Sequence, residues 1–504
     1  MKPINYPAKL NVAPELLTEN VAKRANKVAI YCEDQKVTFK QLDENVNRFA
    51  NVLKNLGLKP QDRILLILPD RPAFYYAFLG SIKYGVVPIP TNTTLKKEDF
   101  QFMLEDSESK AIVTTSDSEA AGIQGKNLKH ILLADKGLDE LMAKASPAAE
   151  ACPSSSNDIA FWLYSSGSTG KPKGVPHRHL DILYTADTFA KEVLKITEKD
   201  IIFSASKLFF AYGLGNNLSF PLRFGASAVL MPGKPSPENV MAALAKYKPT
   251  AFFGVPTLFN SMLKKLDKDC LSSVRICTSA GEALPPEIYS KWKEATGLEA
   301  LDGIGSTEAL HIFISNFPND VKPGTSGKVV PGYEAKIVDD SGNELGSGKT
   351  GYLIIKGQSI TPGYWKRPDD NAEKMLPDGW FKTGDMYQLD NGYFSYQGRG
   401  DDMLKVGGIW VSPIEIENVL LQNKMVSDCA VVGQLVEGLT KPFAYVVPQP
   451  SMSKTQAEAE KILQFVQERL PKYKWPWQVF FVDELPRTST GKVQRFKLRG
   501  RVNP

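Results

Sequence analysis

The sequence predicts an α/β architecture, and three observations carry that prediction. Short continuous apolar runs, led by Arg63-Ile-Leu-Leu-Ile-Leu68, suit parallel strands covered on both faces. Between such runs lie stretches with apolar residues at helical spacing, so helix and strand alternate as in βαβ units. From about Gly327 the runs become short and alternating, with Gly and Asp turns between them, which marks a small antiparallel or barrel unit. At 504 residues the chain is too long for one hydrophobic core and should divide into domains.

Thr38-x-x-Gln41 is a capping-box signature. Leu42, Val46, Phe49, Ala50 and Leu53 follow at helical spacing, and Gly57 is a good stop. Arg63–Leu68, ended by Pro69, is the next strand. Ala73–Tyr84 reads as a helix, and Val86-Val87 and Ala111-Ile-Val-Thr-Thr115 as further strands. Ala145–Asn157, rich in Ala, Ser and Pro, is the loop expected between two sub-sheets. Ile159-Ala-Phe-Trp-Leu-Tyr164 reads as a buried strand. Thr250-Ala-Phe-Phe253 and Val274-Arg-Ile-Cys277 repeat the strand pattern, with helices between them. Glu334–Val338 and Gly351–Ile355 are the alternating strands of the later unit. After Arg399 a compact α+β module remains, with a helix near Ile414–Leu421 and a strand at Ala430-Val-Val432. The charged stretch Gly398–Asp402 is the natural cut.

A net charge of +5, with no concentrated basic tract, suits anionic small molecules and argues against nucleic acid. The five cysteines are scattered and lack metal-ligand spacing, so reduced thiols in a cytoplasmic protein are expected. Met1–Pro7 hold no apolar signal core, and no apolar stretch is long enough for a bilayer, so no membrane is expected as a partner.

The stretch Tyr164-Ser-Ser-Gly-Ser-Thr-Gly-Lys-Pro-Lys-Gly-Val-Pro-His177 packs hydroxyls, glycines and lysines into one loop. Such a loop wraps a polyphosphate: glycines let the backbone approach, N–H groups and hydroxyls donate, and lysines add charge. It is not a Walker A loop, because only two residues separate Gly167 from Gly170, and Pro172 follows Lys171. Read alone, it also fits a solvated turn. Four further segments narrow the choice: Gly303-Ile-Gly-Ser-Thr-Glu308, Trp380-Phe-Lys-Thr-Gly-Asp385, Gly398-Arg-Gly-Asp-Asp-Met-Leu-Lys-Val-Gly-Gly408 and Pro486-Arg-Thr-Ser-Thr-Gly-Lys492. In this order and at these separations, all five make the chain resemble the adenylate-forming superfamily of acyl- and aryl-CoA synthetases, luciferases and peptide-synthetase adenylation domains. The resemblance covers nearly the whole chain.

The resemblance implies an N-terminal domain, residues 1–398, of two α/β subdomains plus a small β-barrel, binding carboxylate and ATP. A hinge at 399–402 and a small mobile α+β domain, 403–504, would follow. It implies ATP, Mg²⁺ and coenzyme A as cofactors. Ser165, Ser166, Gly167, Ser168, Thr169, Gly170, Lys171 and Lys173 would take the β- and γ-phosphates. Thr307 would donate to the α-phosphate, and Glu308 would bind Mg²⁺. Asp385 would accept from the ribose hydroxyls and Arg399 would contact the ribose. Gly281, Glu282, Ala283, Asp302, Gly303 and Ile304 would surround adenine. There the chain departs from the common pattern, with Ile304 at the place of a frequent stacking aromatic and Asp302 at that of a frequent Asn. Lys492 would reach the carboxylate and α-phosphate in the first half-reaction, as a flexible point charge can. Asp401 is the matching hinge position. After rotation, Gly407 and Gly408 would line a pantetheine tunnel, with Trp410 against pantetheine or in the core.

The pocket positions of this family fall on Phe210, Ala211, Tyr212, Gly213, Ala280, Gly305, Leu310, His311 and Ile312. These aromatic, small and aliphatic residues suit a flat apolar ring, and no Lys or Arg among them would bind a second carboxylate. The surrounding segments look most like benzoate-CoA ligases and their 4-hydroxybenzoate relatives. His311 reads either as a polar contact at the ring edge or as a histidine satisfied in the core wall. The expected function is activation of benzoate or a close relative and its transfer to CoA. The alternatives are an alicyclic, short- or medium-chain acid, loading of a separate carrier protein, or nucleotide binding without catalysis. The joint presence of Lys492, Glu308 and Asp385 speaks against the last. A homodimer is admitted as an assembly, as is a lysine acetyltransferase/deacetylase pair acting on Lys492.

Overall fold

In the computed structural model the capping box at Thr38 forms in both directions. Thr38 Oγ1 accepts from the Gln41 N–H at 3.2 Å, and Gln41 Oε1 accepts from the Thr38 N–H at 2.9 Å. The helix it opens, Phe39–Asn55, buries Leu42, Val46, Phe49 and Leu53, as the spacing requires. The structure describes residues 4–165, 171–406, 409–436, 439–450, 452–487 and 493–499. Ser166, Gly167, Ser168, Thr169, Gly170, Gly407, Gly408 and Lys492 lie outside the described residues, as does the side chain of Trp410.

Two α/β layers follow the alternation of runs. The first is a parallel sheet in the order Val87–Pro90, Arg63–Leu66, Ala111–Thr114, His130–Leu133. The second has nine strands: Lys328–Val329, Ile312–Ser315, Ala300–Gly305, Ile276–Ser279, Ala251–Gly254, Ile201–Ser204, Ser227–Leu230, Val28–Cys32 and Gln35–Thr38. Its central pairs are parallel and its margins antiparallel. The central strands Ala251–Gly254 and Ile276–Ser279 are buried throughout, which matches their unbroken apolar character.

The glycine-rich segment differs from its expectation as one long loop. Ile159–Ser165 pairs antiparallel with Lys173–Arg178, so the second half of the segment is a strand. Val175 and His177 are fully buried there, and Gly174 lets Trp162 and Trp365 close over the strand. Beyond Gly327, the strands Glu334–Val338, Thr350–Lys356, Trp380–Asp390 and Tyr393–Arg399 form an antiparallel sheet in sequence order. Among the described residues no pairing of its first strand with its last closes it into a barrel. The C-terminal strands Val426–Val436, Leu439–Pro448 and Gln478–Phe481 pack on Pro413–Leu420 and Gln456–Gln467 around a core of their own, which includes Leu404, Ile416, Val431, Val446 and Ile462. No helix among the described residues is long and apolar enough to cross a membrane.

Candidate functional site

Neighbouring strands of the nine-stranded sheet deliver the predicted residues at their carboxyl ends, where open α/β sheets bind ligands. Phe210, Ala211, Tyr212 and Gly213 follow Ile201–Ser204. Ala280, Gly281, Glu282 and Ala283 follow Ile276–Ser279. Asp302, Gly303, Ile304 and Gly305 end the strand Ala300–Gly305, and Thr307 and Glu308 turn beyond it.

Glu308 is the junction of the site. Its Oε1 accepts from Tyr364 Oη at 2.9 Å, and its carbonyl accepts from the Thr361 N–H at 2.8 Å. Burial, and then the Glu308 charge, push the Tyr364 hydroxyl well above its ordinary pKa, so it stays a donor. Lys173, on the return strand of the glycine-rich hairpin, pairs with Asp370 and lies 5.5 Å from the Tyr364 ring centroid. The edge of the loop and the turn carrying Thr307 therefore meet on one tyrosine. Ser165 is half-buried at the other end of the hairpin, and Lys171 Nζ lies 5.6 Å from the Phe102 ring centroid. Behind the turn stands His177, fully buried. Its Nε2 is 2.8 Å from the Thr307 carbonyl and its Nδ1 is 3.1 Å from Asp181 Oδ2.

Asp385 and Arg399 face each other across paired strands, with Nη1 3.0 Å from Oδ1. Asp385 is the main reason the guanidinium is held more firmly protonated than usual, and Glu308 adds to it. Gly384 adopts φ +81°, so the turn presenting Asp385 takes a conformation that a side chain would strain. Asp401 is exposed just past this pair, and its carbonyl accepts from Arg499 at 2.9 Å. The Trp410 backbone pairs with Lys405 in a short hairpin.

On the other side of the strand ends, Asp302 is buried. Its Oδ2 accepts from the Leu284 N–H at 3.2 Å, while among the described residues Oδ1 and the nearby Ser279 Oγ have no hydrogen-bond partner. Burial pushes the Asp302 carboxyl well above the usual carboxylate range, and Ser279 is close enough to oppose that shift. Unsatisfied buried polar atoms are costly, and a ligand amine or hydroxyl would satisfy this pair. Glu282 reaches Arg487 at 3.5 Å, and Arg487 also binds Asp428 at 2.6 Å, which ties the C-terminal module to the Gly281–Ala283 segment.

At the pocket positions Phe210, Ala211 and Tyr212 are half-buried, and Tyr212 Oη meets Thr278 Oγ1 at 3.0 Å. A Cβ on Gly213 would stand 2.0 Å from the Lys207 carbonyl, so only glycine lets the chain pass. Ala280 is buried beside them and Gly305 is exposed. His311 is enclosed by Phe189, Phe220 and Tyr212, and burial lowers its pKa to about 3. It is therefore neutral, with Nε2 3.1 Å from Asn216 Oδ1 and Nδ1 unpartnered among the described residues. The Nε2 contact is that of a core-wall histidine; Nδ1 remains an acceptor. Leu310 and Ile312 point into two different hydrophobic cores on either side of it.

Sequence reasoning missed Tyr364, His177, Asp181 and Asn216 as parts of this arrangement. Pro362-Gly363 signals a turn before Tyr364, and His177 and Asp181 stand four residues apart, but neither signal names a distant partner. A groove of about 530 Å³ lined by Tyr6, Arg178, Gln358 and Trp380 holds none of the predicted residues.

Residues 17–365 match the AMP-binding enzyme family, and 415–492 match the AMP-binding enzyme C-terminal domain. The chain is 44% identical to a benzoate–CoA ligase of Thauera aromatica over 98% of its own length and 97% of that protein's. It is 35% identical to a 4-hydroxybenzoate–CoA/benzoate–CoA ligase of Rhodopseudomonas palustris, covering 97% and 94%. Among solved structures, a benzoate CoA ligase from Burkholderia xenovorans superposes with a TM-score of 0.90 at 42% identity, covering 97% of this chain and 100% of that one. An anthranilate CoA ligase in complex with anthranoyl-AMP gives 0.92 at 38%, covering 99% and 98%.

Proposed function

The chain belongs to the AMP-binding enzyme family, and on that premise we propose that benzoate is the acid it activates best and that the groups meeting at Glu308 serve the first step. It is an ATP-dependent, AMP-forming aromatic acid–CoA ligase. A carboxylate oxygen attacks the α-phosphorus of ATP, the bond to the bridging oxygen of the β-phosphate breaks, and pyrophosphate leaves. The CoA thiol then gives up its proton and attacks the acyl carbon, AMP departs, and the thioester remains.

In this reading Ser165, residues 166–170, Lys171 and Lys173 hold the β- and γ-phosphates, and Thr307 donates to the α-phosphate. Asp385 and Arg399 take the ribose; Gly281–Ala283, Asp302, Gly303 and Ile304 take adenine, with Asp302 meeting its amine. What supports the reading is the meeting of Lys173 and Glu308 on Tyr364, which joins a cationic loop edge to a carboxylate beside Thr307. Glu308 suits Mg²⁺, an ion that takes one or two protein carboxylates and completes its shell with phosphate oxygens and water. When bound, that ion supplies charge neutralisation at the phosphates. Phe210, Ala211 and Tyr212, with Gly213, Ala280, Gly305 and His311 around them, would close on one ring, with Leu310 and Ile312 packed behind in the two cores.

Benzoate should show the highest kcat/KM in a panel with 4-hydroxybenzoate, cyclohexanecarboxylate, acetate and octanoate. Acetate forgoes burial of about 0.8 kcal/mol per missing CH₂-sized group, which over a ring amounts to roughly 10²-fold or more. Acid-dependent AMP release, with and without CoA, is the measurement. Acetate or octanoate at the top would overturn the pocket assignment, and AMP release indifferent to CoA would favour transfer to another acceptor.

The second half-reaction rests on residues 403–504 turning about Asp401 relative to 1–398, which would bring Gly407, Gly408 and Trp410 to the adenylate. Gly408→Leu should then lower CoA transfer by about 10²-fold through misplacement of the thiol, with pyrophosphate exchange nearly intact. A parallel fall in both would make Gly408 a glycine needed only for its backbone.

A further inference from the structure

The His177–Asp181 pair is absent from the assignments above, yet it stands directly behind the turn that carries Thr307 and Glu308. We propose that His177 is a positioning residue for adenylate formation: an imidazole, held by Asp181, that fixes the Thr307 carbonyl and with it the aim of the Thr307 hydroxyl and the Glu308 carboxylate. The inference rests on the ligase reading for its kinetic consequence, but its structural core does not depend on it.

His177 Nε2 lies 2.8 Å from the Thr307 carbonyl oxygen, and Nδ1 lies 3.1 Å from Asp181 Oδ2. The Thr307 carbonyl can only accept, so Nε2 must carry hydrogen for that contact to be a bond, and Asp181, paired with Nδ1, holds the ring in the orientation that aims Nε2 at it. The side chains of His177 and Asp181 are completely buried, so water does not stand in for either partner.

The remaining neighbours hold the ring and its partner in place. Asp181 Oδ2 also accepts from the Arg178 N–H at 2.9 Å, and Oδ1 accepts from Arg178 Nε at 3.1 Å, which holds the carboxylate in one orientation. Arg178 continues to the carbonyls of Gln358 and Ile360. The Phe161 ring stacks on the imidazole, with centroids 5.3 Å apart and an interplanar angle of 23°, and prevents it from turning. The turn is gripped from its other side as well, because the Thr361 N–H donates to the Glu308 carbonyl and Thr361 Oγ1 to the Pro176 carbonyl. Two successive carbonyls of the Thr307–Glu308 turn are thus fastened, one by a ring on the glycine-rich hairpin. The strand that closes the phosphate loop and the turn that bears the carboxylate form one rigid unit.

Glutamine places an amide nitrogen near the Nε2 position, whereas asparagine places it near Nδ1. His177→Gln should keep the bond to Thr307 and hold kcat for adenylation within about tenfold of wild type. His177→Asn and His177→Phe should lose about 10²-fold in kcat, the cost of an ångström-scale misplacement, with the KM for the acid little changed. Equal losses in the Gln and Asn variants would overturn the positioning role. The chain has four histidines, so ¹⁵N spectra of histidine-labelled enzyme are simple to assign by comparison with His177→Gln. The signal that vanishes should carry a protonated Nε2; an unprotonated Nε2 would overturn the bond to Thr307. That spectrum stands even if wild type forms no acyl-adenylate, an outcome that would instead refute the ligase reading.

Discussion

Lys492→Ala should slow acyl-adenylate formation by about 10²–10³-fold, the usual cost of losing one preorganised electrostatic donor at a transition state. Thioester formation from supplied adenylate should stay within a few-fold of wild type, because no phosphorus then needs a cation. On either side of the 488–492 segment the described residues are paired. Arg487 and Val493 form an antiparallel bridge, Gln494 N–H donates to the Pro486 carbonyl at 2.7 Å, and Arg487 reaches both Asp428 and Glu282. Pyrophosphate exchange and single-turnover thioester formation on one preparation provide the test. Equal losses in the two would end the division of labour. Acetylation of Lys492 should mimic the substitution, since it removes the same charge.

Glu417→Ala should destabilise the C-terminal module by about 3–5 kcal/mol, because it strands a buried guanidinium. Both Glu417 oxygens lie 2.8 Å from Arg495 Nη2, and Oε1 also accepts from the Val431 N–H at 2.7 Å. The two side chains are only 15% and 9% exposed, so solvent cannot replace the partner that is lost. Arg495 lies three residues beyond Lys492, and adenylation should fall along with stability. Glu417→Gln, which keeps an acceptor for Val431, should cost clearly less. Urea unfolding of the full chain measures both. A Glu417→Ala protein within about 1 kcal/mol of wild type would show that Arg495 finds another partner or water.

The legible parts of this molecule were the local ones. The Thr38 capping box and the helix Phe39–Asn55 follow from spacing within a few turns, and Arg63–Leu66 from a single apolar run. The strand Lys173–Arg178 was hidden because Gly174 and Pro176 are poor strand formers, and burial beneath Trp162 and Trp365 overrides that preference. In the site, Thr307, Glu308, Asp385 and Arg399 stood out through motif spacing. Tyr364 and His177 did not, because their bonds span 56 and 130 residues. A hydrogen bond of that reach leaves no period in the chain. Asp302 stood out in sequence as an aspartate at the place of a frequent Asn, but its burial, with one oxygen unpartnered among the described residues, did not.

The placement of Val28–Cys32 bears on how the molecule is made. That strand pairs with Ser227–Leu230 rather than with its sequence neighbours in the first sheet, and Ser227 Oγ bonds the Val28 carbonyl across 199 residues. At synthesis rates of roughly 5–20 residues per second, the partner follows about 10–40 s later. During that interval the N-terminal hairpin presents an unpaired strand edge, the kind of surface that invites association between nascent chains. Closing so long a loop also delays folding after release, since its entropy is spent before the contact rewards it. The nine-stranded sheet that carries the site thus joins a strand to a partner synthesised long after it, and that edge of the sheet cannot close until the later segment arrives.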